Sequence, residues 1–117
     1  MKVHRWNDIS AEVLNEGITR QVVHTDAMTV ARLALRRGAV VPRHSHPNEQ
    51  VSTIEQGRLR FLFDDSEIEV VAGESLQIPA NVPHEVHAMV DSIALDLFSP
   101  RREDWLRGED AYLRGGR

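Results

Sequence analysis

A chain of 117 residues, 41% hydrophobic and 27% charged, has the size and composition of one soluble globular domain. Its net charge of −4, from 14 basic and 18 acidic residues with no basic cluster, excludes a nucleic-acid footprint. The absence of cysteine excludes disulfides, thiolate metal sites and a cysteine nucleophile.

Residues 1–19 are mixed in character, with Trp6 to Ile9 suited to a short strand or turn and Ser10 to Leu14 to one helical turn. No apolar run reaches the roughly 18 residues of a membrane helix, and the first eight residues lack a signal-peptide apolar region. A cytoplasmic protein without membrane or nucleic-acid partners is expected. From Arg20 onward short β-type runs follow one another, with breaks at His24-Thr25-Asp26, Gly38, Pro47, Gln56-Gly57, Asp64-Asp65-Ser66, Ala72-Gly73-Glu74, Pro79 to Pro83 and Asp91-Ser92. Leu59, Phe61 and Phe63 alternate with Arg58, Arg60 and Leu62, the pattern of a half-buried strand. Turn signals recurring about every 8–12 residues predict an all-β sandwich or barrel. Beyond Ser99-Pro100 the charged tail keeps Trp105, Leu106, Tyr112 and Leu113 as its apolar residues. It reads as a short helix beginning near Pro100, or as an arm packed on the barrel or a partner.

The chemistry concentrates in Pro42-Arg43-His44-Ser45-His46-Pro47-Asn48-Glu49-Gln50. Val40 to His46 is expected to run extended, where period-2 alternation puts His44 and His46 on one face. Two imidazoles on one face, with Gln50 four residues later, offer what a divalent transition metal requires. Glu49 is the stronger ligand type, but on a regular strand it points away from Gln50's side. His4, His24 and His87 read as surface or hydrogen-bonded histidines.

Two segments resemble the paired motifs of the cupin superfamily. In the first, five residues separate Gly38 from His44, one lies before His46, three before Gln50 and six before Gly57. Gln50 stands where a glutamate is usual. In the second, five residues separate Gly73 from Pro79, one lies before Asn81 and two before His84, with Asn81 and Ala88 replacing a usual glycine and a common asparagine. The resemblance implies a single cupin domain over 1–117: motif one at 38–57, motif two at 73–88 and a C-terminal tail at 100–117. It implies a double-stranded β-helix, a small jelly-roll barrel, holding one metal on His44, His46, Gln50 and His84. Zn, Ni, Mn, Fe or Cu all suit histidine with an amide oxygen. Three neutral imidazoles and a neutral amide leave the +2 charge uncompensated, which favours a small anionic substrate.

In Ile93 to Phe98, alternation pairs Asp96 with Phe98 on one face and Leu95 with Leu97 on the other. An aspartate among leucines is costly to bury without purpose or partner. It reads as an acid/base group inside the barrel, or as the ion-pair partner of Arg60 or Arg102. The run His-Ser-His-Pro-Asn-Glu-Gln, together with Asp96-Leu97-Phe98-Ser99-Pro100-Arg101-Arg102-Glu103-Asp104-Trp105-Leu106, resembles the small cupins of pectin and alginate breakdown. These convert unsaturated monouronates to the linear ketonised sugar acid. That resemblance implies catalytic roles for Asp96, Phe98 and Arg102, with Arg101 as a substitute for Arg102. Arg102 is expected to clamp the sugar carboxylate through its fork. A cupin dioxygenase acting on a small organic acid and a non-catalytic small-molecule binder are the alternatives. Cupins commonly pair, so a homodimer is expected.

Overall fold

The computed structural model describes residues 1–114. Among them ten strands form: β1 (Glu12–Asn15), β2 (Ile18–His24), β3 (Thr29–Leu35), β4 (Val40–His44), β5 (Glu49–Gln56), β6 (Arg58–Leu62), β7 (Glu67–Val71), β8 (Ser75–Ile78), β9 (His84–Ala88) and β10 (Ser92–Ser99). Helical structure is limited to a 3₁₀ turn at Trp6–Asp8 and the helix α1 (Glu103–Leu106). No helix is long and apolar enough to cross a membrane. Six strands pair in the order β1-β2-β3-β10-β5-β8 and four in the order β4-β9-β6-β7, every pairing antiparallel. The expected all-β jelly roll is the fold.

Alternation along the strands fills the space between the sheets. Ile18, Leu33, Leu35, Ile54, Leu59, Phe61, Val70, Ile78, Val86 and Ala94 are buried there in one cluster. Burying a side chain such as Phe61 or Ile54 contributes roughly 1.5–3 kcal/mol. Gly57 joins β5 to β6 with φ 89°, and a Cβ on it would lie 2.3 Å from Ser92 Oγ and 2.5 Å from the Asp91 carbonyl oxygen. Only glycine meets both demands.

Three local expectations are corrected. Ser10 to Leu14 does not form a helical turn; Glu12–Asn15 is an edge strand, because pairing with β2 satisfies its backbone and buries Leu14. The extended run through His46 stops at His44, and His46 sits in the bend before β5. The tail's helix does not begin near Pro100 but at Glu103, and it ends after one turn, followed by Gly108 at φ 75°.

Candidate metal centre

Strict alternation from the inward-facing Val41 would send His44 outward. A register shift between Val41 and His44 prevents this: Val41 stands opposite Val86, and His44 opposite His84, so β4 spends three residues where β9 spends two. Such a bulge flips side-chain parity. Pro42 lies within it and has no N–H to lose from the ladder. The bulge carbonyl of Pro42 accepts a hydrogen bond from His44 Nδ1 at 2.8 Å. Strand alternation alone thus does not explain why His44 enters the barrel; the bulge does.

His46 reaches the same place from a bend. Its carbonyl accepts the backbone N–H of Asn81 at 2.8 Å, tying the two motif loops together. Asn81 has φ 66°, a left-handed conformation that asparagine tolerates better than most residues, which explains its standing in for a glycine. Asn48, buried beside it, donates from Nδ2 to the carbonyls of Pro100 (2.6 Å) and Arg101 (3.1 Å), fixing the exit of β10 against the histidine loop. His84 opens β9 and is 1% exposed.

The ligating atoms of His44, His46 and His84 lie within 4.8 Å of one another. Their Nδ1 atoms bond the carbonyls of Pro42, Asn48 and Val82 at 2.8, 3.1 and 2.8 Å, which directs the Nε2 lone pairs inward. Burial lowers all three pKa values, to about 3 for His44 and about 4 for His46, and downward for His84, so the rings are neutral at pH 7. Two features fit a cation. His84 Nε2 is enclosed without a partner. His46 Nε2 faces Gln50 Oε1 at 3.0 Å while its Nδ1 faces the Asn48 carbonyl, yet a neutral imidazole has only one N–H. A cation held by His46 and Gln50 would remove that conflict. Gln50 donates from Nε2 to the Ser52 hydroxyl at 2.9 Å, which turns its oxygen toward His46. Glu49 points outward and accepts from Gln77 Nε2 at 3.2 Å, so of the two it is Gln50 that faces the histidine cluster.

A cavity of about 40 Å³, roughly the space of one water molecule, is lined by His44, Gln50, His84, Asp96, Phe98 and Arg102. Asp96 is only half-buried as a residue, but its Oδ1 is enclosed and unpartnered. Burial pushes its carboxyl up to about 6, opposed by the Ser52 hydroxyl and the Arg102 charge. Asp96 forms no ion pair among the described residues; Arg60 turns outward to Glu67 and Glu69. Phe98 meets His46 edge-on at 5.5 Å.

Arg102 is 1% exposed and lies between two rings, 4.7 Å over Phe98 and 4.3 Å over Trp105. Its Nε and Nη2 donate to Asp104 at 3.0 and 2.8 Å, and Nη2 also to the Tyr112 hydroxyl at 2.9 Å. The fork expected to clamp a substrate carboxylate is therefore occupied within the protein, and what it lends the cavity is charge. Arg101 is paired with Glu103 away from the cavity. His87 pairs with Glu85 and His24 with Thr29, and neither joins the cluster. Sequence reading missed Ser52, Trp105 and Tyr112. Ser52 was findable as the inward residue two beyond Gln50; Tyr112 had no periodic signal.

Among curated proteins none matches the chain. Solved structures do. KdgF from Halomonas sp. superposes with a TM-score of 0.78 at 27% identity, covering 85% of this chain and 94% of that one. An RmlC-like cupin from Shewanella frigidimarina gives 0.83 at 25% identity, covering 90% and 96%. Bacillus subtilis oxalate decarboxylase, a protein with Mn(II) centres, gives 0.75 at 18% identity, covering 81% of this chain and 28% of that one; this likeness concerns the fold. The family described as the cupin domain matches residues 31–99, from within β3 to the end of β10 and including His44, His46, Gln50, His84, Asp96 and Phe98, and the chain therefore belongs to the cupin family.

Proposed function

We propose that this cupin is a metal-dependent isomerase that converts unsaturated monouronates to the linear, ketonised sugar acid. The observation that carries the reading is Asp96: a carboxylate with an unpartnered oxygen, in the same small cavity as His44, His84 and Gln50. A divalent metal, held by His44, His46, His84 and Gln50, would supply Lewis acidity toward a substrate oxygen. Zn, Ni, Mn, Fe and Cu all suit this donor set.

The chain's residues do the rest. Asp96, with its pKa near 6, is ionised at neutral pH and basic enough to move a proton during tautomerisation and ring opening. Phe98 supplies an apolar wall for the sugar ring, and Arg102 lends positive charge toward its carboxylate. The likeness to KdgF supports this assignment, as does the neutral ligand set, which leaves the site cationic.

Asp96→Asn is the test. The metal-loaded variant should retain its metal while turnover of 4,5-unsaturated galacturonate, followed as loss of ultraviolet absorbance, falls at least about 100-fold. Normal turnover by this variant sinks the role of Asp96. An inactive wild type that consumes oxygen with a small organic acid transfers the protein to the dioxygenases.

A further inference from the structure

The metal-site cavity, at about 40 Å³, is several times too small for a sugar acid, so one of its walls must move. The histidines, Asp96 and Phe98 belong to strands or to a loop pinned by Asn48 and Asn81. The Arg102–Trp105 stack is held by Asp104 and Phe98. Tyr112 differs from all of these. It lies outside every strand and helix and is only partly buried. Its ring stacks on His44 at 4.7 Å, and its hydroxyl accepts from Arg102 Nη2 at 2.9 Å and Trp105 Nε1 at 3.4 Å. The tail on either side stays fastened. Asp110 pairs with Arg20 at 2.9 Å, and Leu113 is buried, its carbonyl accepting from Asn15 Nδ2 at 2.8 Å.

Behind Tyr112 lies a second, open cavity of about 820 Å³, with Glu16, Arg36, Arg37 and Pro42 on its walls. Tyr112 is the residue that lines both cavities. Arg58 and Arg60 on the outer strands pair with Glu69, but Arg36 and Arg37 form no ion pair among the described residues. Two cations facing one carboxylate make this space favourable to an anion.

We infer that the arginine-lined cavity is the antechamber of the metal site, where Arg36 and Arg37 take the carboxylate of an organic acid and Tyr112 swings aside to admit it. The inference rests on the proposed function only for which acid is taken. Side-chain rotation of this kind is fast compared with ordinary turnover, so entry scales with the fraction of time Tyr112 stands aside.

The test strips metal from the Zn²⁺-loaded protein with two chelators, anionic EDTA and neutral 1,10-phenanthroline. Tyr112→Ala should accelerate stripping by both at least about tenfold, and Tyr112→Phe, which loses only the hydroxyl anchors, by a smaller factor. Should the alanine variant fail to fold, the phenylalanine variant carries the test. Arg36→Gln combined with Arg37→Gln should slow EDTA several-fold and leave phenanthroline unchanged. Wild-type stripping rates in the folded Tyr112 variants overturn the gate. An equal effect of the arginine changes on both chelators, or none on either, overturns the antechamber. No uronate enters these assays, so a protein that strips as expected yet leaves unsaturated galacturonate intact loses the proposed reaction and keeps the antechamber.

Discussion

The same strands build two unlike halves of one barrel. On β5 the inward row runs Gln50, Ser52, Ile54; on β9 it runs His84, Val86, Ala88; on β10 it runs from Phe98 and Asp96 to Ala94. At the mouth these rows are polar, and at the closed end they meet Leu35, Leu59, Phe61 and Val70. Among the described residues the enclosed side-chain atoms without partners are Arg20 Nη1, on β2 against the capping tail, and His84 Nε2 and Asp96 Oδ1 in the polar half. Each such atom costs stability on the order of 1–3 kcal/mol. The lesson of the difference is a division of labour: the closed end supplies burial energy, and the mouth spends part of it holding donors ready for a cation and an acid.

The division can be broken from the closed end first. Phe61 is 1% exposed, and Phe61→Ala should cost about 3–5 kcal/mol in denaturant unfolding. The folded fraction of the variant should still bind one metal per chain. Parallel loss of metal, measured by elemental analysis of folded protein, would show the halves to be inseparable.

A smaller effect comes from the mouth. Folding holds His44 at about 3 and His46 at about 4, and lowers His84, against 6.5 in the unfolded chain, so below 6.5 the unfolded chain binds more protons. The stability these neutral rings permit is present above pH 6.5 and is lost as pH falls toward 4. Asp96 works the other way over this range, because its folded pKa of about 6 lies above the ordinary value. One group offsets only part of three, so melting temperatures of chelator-treated protein should still drop by several degrees between pH 7 and pH 5. Among the described residues the buried histidines, His46 and His84, stand at the mouth, as does Asp96, so a flat profile would mean that the mouth contributes nothing separable.

Legibility from the sequence divides along the same line. The strands could be read because one alternation rule governs both halves, and Asp96 and Phe98 emerged on the inner face for that reason alone. The three histidines that converge were readable through the spacing of the two motifs. The bulge that turns His44 inward was not, since Pro42 permits it without requiring it. Arg102 could be placed in the site but not its commitment to Asp104, because that pair depends on where a nonperiodic tail folds. Tyr112 was invisible for the same reason: its position follows from Leu113 entering the core and Asp110 meeting Arg20, contacts 90 or more residues apart in sequence for Asp110 and Asn15.

The smallest expected effect concerns the residue that joins the two functions of the mouth. Gln50 presents its oxygen toward His46 and donates a hydrogen bond from Nε2 to the Ser52 hydroxyl, which also helps hold the Asp96 pKa down. In Gln50→Glu the metal gains a charged ligand, and affinity should rise roughly tenfold in a chelator competition. The Ser52 hydroxyl then turns its proton toward the new carboxylate, so Asp96 loses part of the influence that holds its pKa down. A like charge nearby raises that pKa further. The acid limb of the pH–rate profile should therefore move upward from about 6, with slower turnover at pH 7 despite tighter metal binding. Tighter binding with an unmoved acid limb would separate Gln50 from Asp96 and leave the mouth as two independent sites.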